Sequence, residues 1–246
     1  MKSQTKSQLL GAALLSGAVL VGWLNYPAPR PTSAVIEATA MTAGHDAGAA
    51  RRLSAWARDG LPVAQREQGL RLQRDPAQRA QALTLLEHAA RAGDVEAAFH
   101  VGELYRTPVA GKPGAPAQAW PWYKQAAEGR HAKAALMLGL LARNGEGVPR
   151  DDGEAARWLT LSSELGNAHA MFLLANVYNG GLGVPRDAVR ARALLEEAAE
   201  HDYPPALQEL AMTMQTGDAL TEQDTQRASH LMKEATEHRR NNWNRF

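Results

Sequence analysis

Apolar and small residues recur along this chain at i, i+3, i+4 and i+7, in paired stretches separated by short polar breaks. The clearest unit runs from His131 to Gly166, and the unit from Asn167 to Asp202 keeps its frame. Ala134, Leu138, Gly139 and Leu141 form its first stripe, matched by Ala170, Leu174, Ala175 and Val177. Ala155, Trp158, Leu159 and Ser162 form the second, matched by Ala191, Leu194, Leu195 and Ala198. Such spacing sets one face of a helix against a core, so each unit reads as two helices, A then B. The small residues let helix backbones approach, and the large ones fill the space between neighbouring hairpins.

The frame extends well beyond two units. The alanine that anchors helix A returns as Ala64, Ala97, Ala134, Ala170 and Ala206, at intervals of 33, 37, 36 and 36 residues. Five residues after each stands Gly69, Gly102, Gly139, Ala175 or Ala211, and twelve before lies Arg52, Leu85, Trp122, Trp158 or Leu194. Leu231 holds that place in the last unit. A fixed period in this range marks a repeat array, whose function lies on a stacked surface rather than in one pocket.

The connector between the helices is nearly duplicated, as Gly145-Glu146-Gly147-Val148-Pro149-Arg150-Asp151 and Gly181-Leu182-Gly183-Val184-Pro185-Arg186-Asp187. Glycine suits the left-handed conformation just past a helix end, and proline cannot continue the helix. Asp151 and Asp187 can cap the next helix by accepting backbone N–H bonds, with Glu154 completing a capping box. No strand precedes this loop and no Gly-Lys-Ser/Thr follows it, so it reads as helix punctuation rather than a phosphate cradle.

These residues together resemble the SEL-like repeat (SLR), a relative of the tetratricopeptide repeat. Its pattern A-x-x-x-L-G-x-x-Y, G-x-G-V-x-x-D, A-x-x-W-x-x-x-A-A-E-x-G meets Ala170, Leu174, Ala175, Tyr178, Gly181, Gly183, Val184, Asp187, Ala191, Leu194, Ala198, Ala199 and Glu200. The resemblance covers residues 61–238; it departs in the first unit, shortened around Asp75-Pro76, and in the fifth, where Gly217 to Asp224 replaces the Gly-Val turn. It implies an all-α fold, a right-handed α-solenoid of about five stacked hairpins. Terminal units of such arrays are atypical, and Ala49 to Gly60 is in phase with a lone capping helix B.

The first thirty residues stand outside the period. Lys2 and Lys6 precede an apolar run from Leu9 to Leu24, followed by Pro27, Pro29, Arg30 and Pro31. Basic residues before an apolar run describe an export signal, and they stay cytoplasmic under the positive-inside rule. The run is shorter than the roughly 20 residues of a spanning helix, although Asn25 and Tyr26 can sit in the interface. Cleavage sites are weak, at Thr32-Ser33-Ala34 and Ala38-Thr39-Ala40. An uncleaved inner-membrane anchor is therefore preferred over a cleaved signal and a soluble protein, and both place the array in a bacterial periplasm. The organisation expected is a signal peptide or transmembrane anchor over 1–24 and a flexible linker over 25–48, rich in proline, alanine and threonine. A capping helix over 49–60, the array over 61–238 and a tail over 239–246 complete it.

Composition narrows the chemistry. The net charge of +1 is far from the basic face of a nucleic-acid binder. Arginines do gather early, at Arg51, Arg52, Arg58, Arg66, Arg71, Arg74 and Arg79, as a solvated helical face or an anionic partner's site. The chain has no cysteine, so it carries no lipid-accepting thiol and none of the disulfides that staple hairpins in some secreted relatives. That weakens transfer of the penicillin binding linked to a few of them. None of the eight histidines forms H-x-x-x-H or H-E-x-x-H, and no serine sits in G-x-S-x-G. His131 and His169 stand near A-helix starts and read as surface or capping groups. The expectation is no catalytic residue, no cofactor and no metal, and no enzyme.

Binding is the stronger class. In arrays of the resembled family the A helices line the concave surface, and positions three and six past the anchor alanine face the partner. Here they read His100/Glu103, Met137/Leu140, Leu173/Asn176 and Glu209/Met212. Met137, Leu140, Leu173 and Met212 would form an apolar strip, either exposed for a partner or buried by a tighter superhelix. The expected site is Met137, Leu140, Leu173 and Asn176, with Tyr105 and Arg143 nearby. Phe99 and Phe172, one place earlier, are expected in the core. Pro121, between Trp120 and Trp122, is expected to delay or kink helix B of the second unit. Exported relatives include immunity proteins that neutralise phospholipase effectors of type VI secretion, and envelope assembly or signalling adaptors. The resemblance thus implies a protein partner, a secreted toxin or an envelope protein.

Overall fold

The computed structural model describes residues 30–108, 113–217, 219 and 222–241, and over them the chain is all-helical. Two helices, α1 (Ser33–Thr42) and α2 (Ala47–Arg58), precede the array. Five hairpins follow: α3 (Pro62–Leu72) with α4 (Arg79–Arg91), α5 (Val95–Arg106) with α6 (Pro116–Glu128), and α7 (Ala132–Asn144) with α8 (Asp152–Glu164). The last two pair α9 (Ala168–Gly180) with α10 (Ala188–Glu200), and α11 (Pro204–Thr216) with α12 (Thr225–Asn241). Odd-numbered helices from α3 on are A helices and even-numbered ones B helices, stacked as a right-handed α-solenoid.

The small residue five past each anchor alanine lets a large B-helix side chain press on the A-helix backbone. A Cβ on Gly69 would meet Leu86 Cγ at 2.7 Å, one on Gly102 Tyr123 Cε1 at 2.6 Å, and one on Gly139 Leu159 Cγ at 2.8 Å. Leu86, Tyr123 and Leu159 are accordingly fully buried. The anchor alanines are also caught at their own N–H groups: Asp94 Oδ1 accepts from Ala97 at 2.9 Å, His131 Nδ1 from Ala134 at 3.1 Å and Asn167 Oδ1 from Ala170 at 2.9 Å. Each takes one of the orphan donors of a helix start.

The connectors behave as their residues require. Gly145, Gly147, Gly181 and Gly183 all have positive φ, and Asp151 and Asp187 accept from Glu154 N at 2.8 Å and Arg190 N at 2.9 Å. The capping box does not close: Asp151 N–H donates to Ala142 O at 3.0 Å, while Glu154 accepts from Trp158 Nε1 at 3.1 Å. The same return bond recurs as Asp187 N to Tyr178 O, Ala115 N to Tyr105 O and Asp224 N to Met214 O. So the second and fifth hairpins close alike without the Gly-Val turn. A Cβ on Gly183 would lie 2.3 Å from Asp152 C, and one on Gly147 2.3 Å from Ala117 N. Each connector therefore rests on the first turn of the preceding repeat's B helix.

Three expectations need correction. The stretch read as a flexible linker holds α1, because Thr32 caps it, Ile36 is buried against the cluster of Ala49, Leu53, Ala57 and Ala64, and Glu37 binds Arg66 at 2.7 Å. Helix B of the second repeat begins at Pro116 and runs through Pro121. Pro121 is exposed, and the carbonyl it leaves unpaired belongs to the exposed Ala117, where water can reach it. The stretch assigned to a tail is helical as far as Asn241. The apolar run Leu9–Leu24 lies outside the described residues; among those described, no helix is long and apolar enough to cross a membrane.

Candidate interaction surface

The third and sixth positions past each anchor lie on successive A helices, on the face expected to meet a partner. The second repeat spends its pair internally. Glu103 accepts from the Tyr123 hydroxyl and from Arg106 Nη2 at 2.8 Å, and Arg106 Nε donates to Tyr123 Oη at 3.1 Å. Burial first, and then Glu103, push the Tyr123 phenol far above its usual range. His100 bonds Glu96 at 3.2 Å, and His131 Nε2 reaches the other oxygen of that carboxylate at 3.2 Å. Since His131 Nδ1 accepts the Ala134 N–H, the ring's Nε2 is the donor to Glu96. Those two bonds, to His100 and then to His131, hold the Glu96 carboxyl well below the usual carboxylate range. Phe99 stacks on His131 at 4.3 Å between centroids, so repeats two and three meet through a ring pair and a shared carboxylate.

In the third to fifth repeats the face changes character. Met137 and Leu140 are half-buried against the core, Asn176 is exposed, and Met212 is 56% exposed. Leu173 is not on this surface: at 8% exposure it belongs to the core with Leu136 and Leu174, so the solenoid is tight enough to consume the middle of the expected strip. Phe99 and Phe172 pack against the core without being fully buried. Tyr105 donates to Glu87 at 2.7 Å, which also holds Arg91, and is thus tied to the B helix of the first repeat. Arg143 is half-buried beside His169, whose pKa is lowered by burial first and by that cation second. His169 stacks on Tyr203 at 5.5 Å. Glu209 is pushed up by burial, against the opposing pull of Arg192. It shares a cleft of about 300 Å³ with Asn179, Arg186, Arg192 and Thr213.

Of the seven early arginines, two have structural duties. Arg66 binds Glu37 at 2.7 Å, Glu67 at 2.8 Å and Asp94 at 3.0 Å, joining α1, the first repeat and the cap of the second. Arg79 donates to Leu104 O at 2.7 Å and so closes the end of α5. Arg51, Arg52, Arg58, Arg71 and Arg74 are exposed. The duties of Arg66, Arg79 and Glu96 were invisible in sequence, because each joins residues whose proximity only the stacking creates.

The model of a family described as the Sel1 repeat matches five times in succession, over residues 62–94, 95–131, 132–167, 168–203 and 204–238. Among solved structures, a protective antigen of uropathogenic Escherichia coli strains displaying an SLR fold is 24% identical with a TM-score of 0.72. The likeness covers 84% of this chain and 46% of that one, so this chain spans less than half the antigen's length. A Sel1 repeat protein from Oxalobacter formigenes is 25% identical over 81% of this chain and 82% of its own, with a TM-score of 0.66. An immunity protein from Pseudomonas aeruginosa aligns at 20% identity over 68% and 65% of the two chains, with a TM-score of 0.44. Among curated proteins none matches in sequence.

Proposed function

The chain belongs to the Sel1 repeat family, a family of protein-interaction modules, and from that premise we propose that it is an exported array, held at the inner membrane, that grips a protein partner on its concave A-helix face. The observation that carries the choice of face is the unspent part of the strip. Asn176 and Met212 are exposed and Met137 and Leu140 are partly exposed with no polar partner, whereas the corresponding Glu103 of the second repeat is bound by Tyr123 and Arg106. Arg143 borders this patch and Leu173 supports it from beneath. Sel1 repeats are in general non-catalytic scaffolds, which favours binding over turnover.

Placement at the membrane rests on Lys2, Lys6 and the run Leu9–Leu24. The fold adds support for retention of the N-terminus. Cleavage after Ala40 would remove buried Ile36 and the Glu37 partner of Arg66, and cleavage after Ala34 would remove the Thr32 cap.

Photo-crosslinking amino acids placed in cells at Asn176, at Met212 and, as an outer-face control, at Glu196 test the face. The expected result is one partner captured from Asn176 and Met212 and absent from Glu196; capture from Glu196 alone overturns the reading. Identification of the captured protein then separates neutralisation of a toxin from assembly of an envelope complex.

A further inference from the structure

We propose that Asp202, Glu234 and His238 form a binding site for one divalent transition-metal ion at the last joint of the array, a site independent of the A-helix face. Glu234 and His238 stand one turn apart on α12, and Asp202 comes from the loop between α10 and α11. Their candidate ligand atoms all lie within 4.8 Å of one another. His238 Nε2 is 3.4 Å from Asp202 Oδ1 and 4.0 Å from Glu234 Oε1. Two donors, each about 2.1 Å from a tetrahedral ion, are separated by about 3.4 Å, so the imidazole and Asp202 already have the spacing of two ligands. The Glu234 side chain is 37% exposed and free to rotate into the third place.

The donor set decides the class of ion. One imidazole nitrogen with two carboxylate oxygens suits zinc and its first-row neighbours better than calcium or magnesium, which prefer all-oxygen sites. Charge points the same way. Asp202 and Glu234 are two carboxylates, whose combined charge one divalent ion balances. The group is particular to this joint: Gly60, Gly93, Arg130 and Gly166 occupy the corresponding left-handed position in the earlier loops, where Asp202 has φ of 59°.

The site would act on the one hairpin that no further Sel1 repeat covers within the matched array. Arg239 already donates to Gln208 at 2.9 Å, tying the end of α12 to α11, and the ion would tie α12 to the loop before α11. Three protein ligands also leave a coordination position for water or an incoming donor. Asp202 lines a cleft of about 480 Å³ together with Lys133, Asn167, Glu200 and His201.

The test is zinc titration of the full, metal-stripped chain by calorimetry, with thermal melts in parallel. It compares the wild type with Asp202→Gly and His238→Gln. Asp202→Gly is chosen because glycine holds the same backbone angle in three other loops, so the zinc-free variant keeps its fold and melts no lower than wild type. The expected result is one zinc per chain and a raised melting temperature in the wild type. Each variant should lose affinity by about tenfold or more, since even outer-shell partners of a metal are worth that much, and lose the zinc-induced rise. Absence of saturable zinc binding in the wild type, or binding by both variants as tight as wild type, overturns the site.

Discussion

Gly183 carries two constraints at once. Its φ is +73°, and a Cβ there would lie 2.3 Å from the backbone of Asp152. Gly166, at φ +83° with nothing within 4 Å, carries only the first. Gly166→Ala should therefore cost about 1 kcal/mol, and Gly183→Val about 2 kcal/mol or more, a ranking that chemical denaturation checks. Asp187→Ala removes the bond to Arg190 N and should cost about 1 kcal/mol. Leu173→Asp buries a charge at an 8% exposed site and should cost about 3 kcal/mol or more, so it unfolds the array before it reports on binding. His169 gives the pH dependence. Burial lowers its pKa in the folded state, so its contribution is fully present above the unfolded value of about 6.5 and is lost as the pH falls below it. His169→Gln should flatten the decline in stability on acidification below that value, as melts across pH would show. Glycines and caps were legible in the sequence because their reasons are local. The fate of Leu173 was not, since helical spacing says which face a residue takes and not how tightly the next hairpin closes over it.

At the scale of helices and hairpins, the repeat period placed the A and B helices, because every unit repeats one solution to the same packing problem. It failed at the edges. The helix α1 was hidden among prolines and threonines, and what makes it a helix is tertiary: Ile36 against Leu53 and Ala64, and Glu37 on Arg66. Removing residues 1–42 should therefore destabilise the array by about 2–4 kcal/mol, the worth of a buried isoleucine, with loss of ellipticity at lower temperature in a circular dichroism melt. Glu37→Gln alone should do far less, because its carboxylate is 46% exposed and such pairs contribute about 0–1 kcal/mol. The second hairpin shows the opposite lesson: its connector shares almost no residues with the third and fourth, yet returns the bond from Ala115 to Tyr105. Backbone geometry was conserved there where side-chain pattern was not.

For the whole molecule, the proposed topology makes one clear demand. A C-terminal alkaline phosphatase fusion should be active and stay with the membrane fraction; an active cytoplasmic reporter in its place would reverse the orientation. Array stability is close to a sum over units and their neighbours, so hydrogen exchange should be slowest in α7 to α9 and faster in α12. The joints, however, are not alike. Gly147 and Gly183 seat a connector directly on the backbone of the preceding repeat, keying repeats two to three and three to four together. The first joint adds to its apolar core the charges around Arg66 and the bonds of Arg79 to Leu104 O and Tyr105 to Glu87, and the last has the ring of Tyr203 against His169 and Phe172. Side chains can slide where backbones in contact cannot. Considered as a rod under load, the molecule should be stiffest through its middle, where connectors bear on backbone, and most compliant at its last joint. A ligand laid along the central repeats would then meet one fixed curvature, while one that grips the last repeat would bend the array to fit.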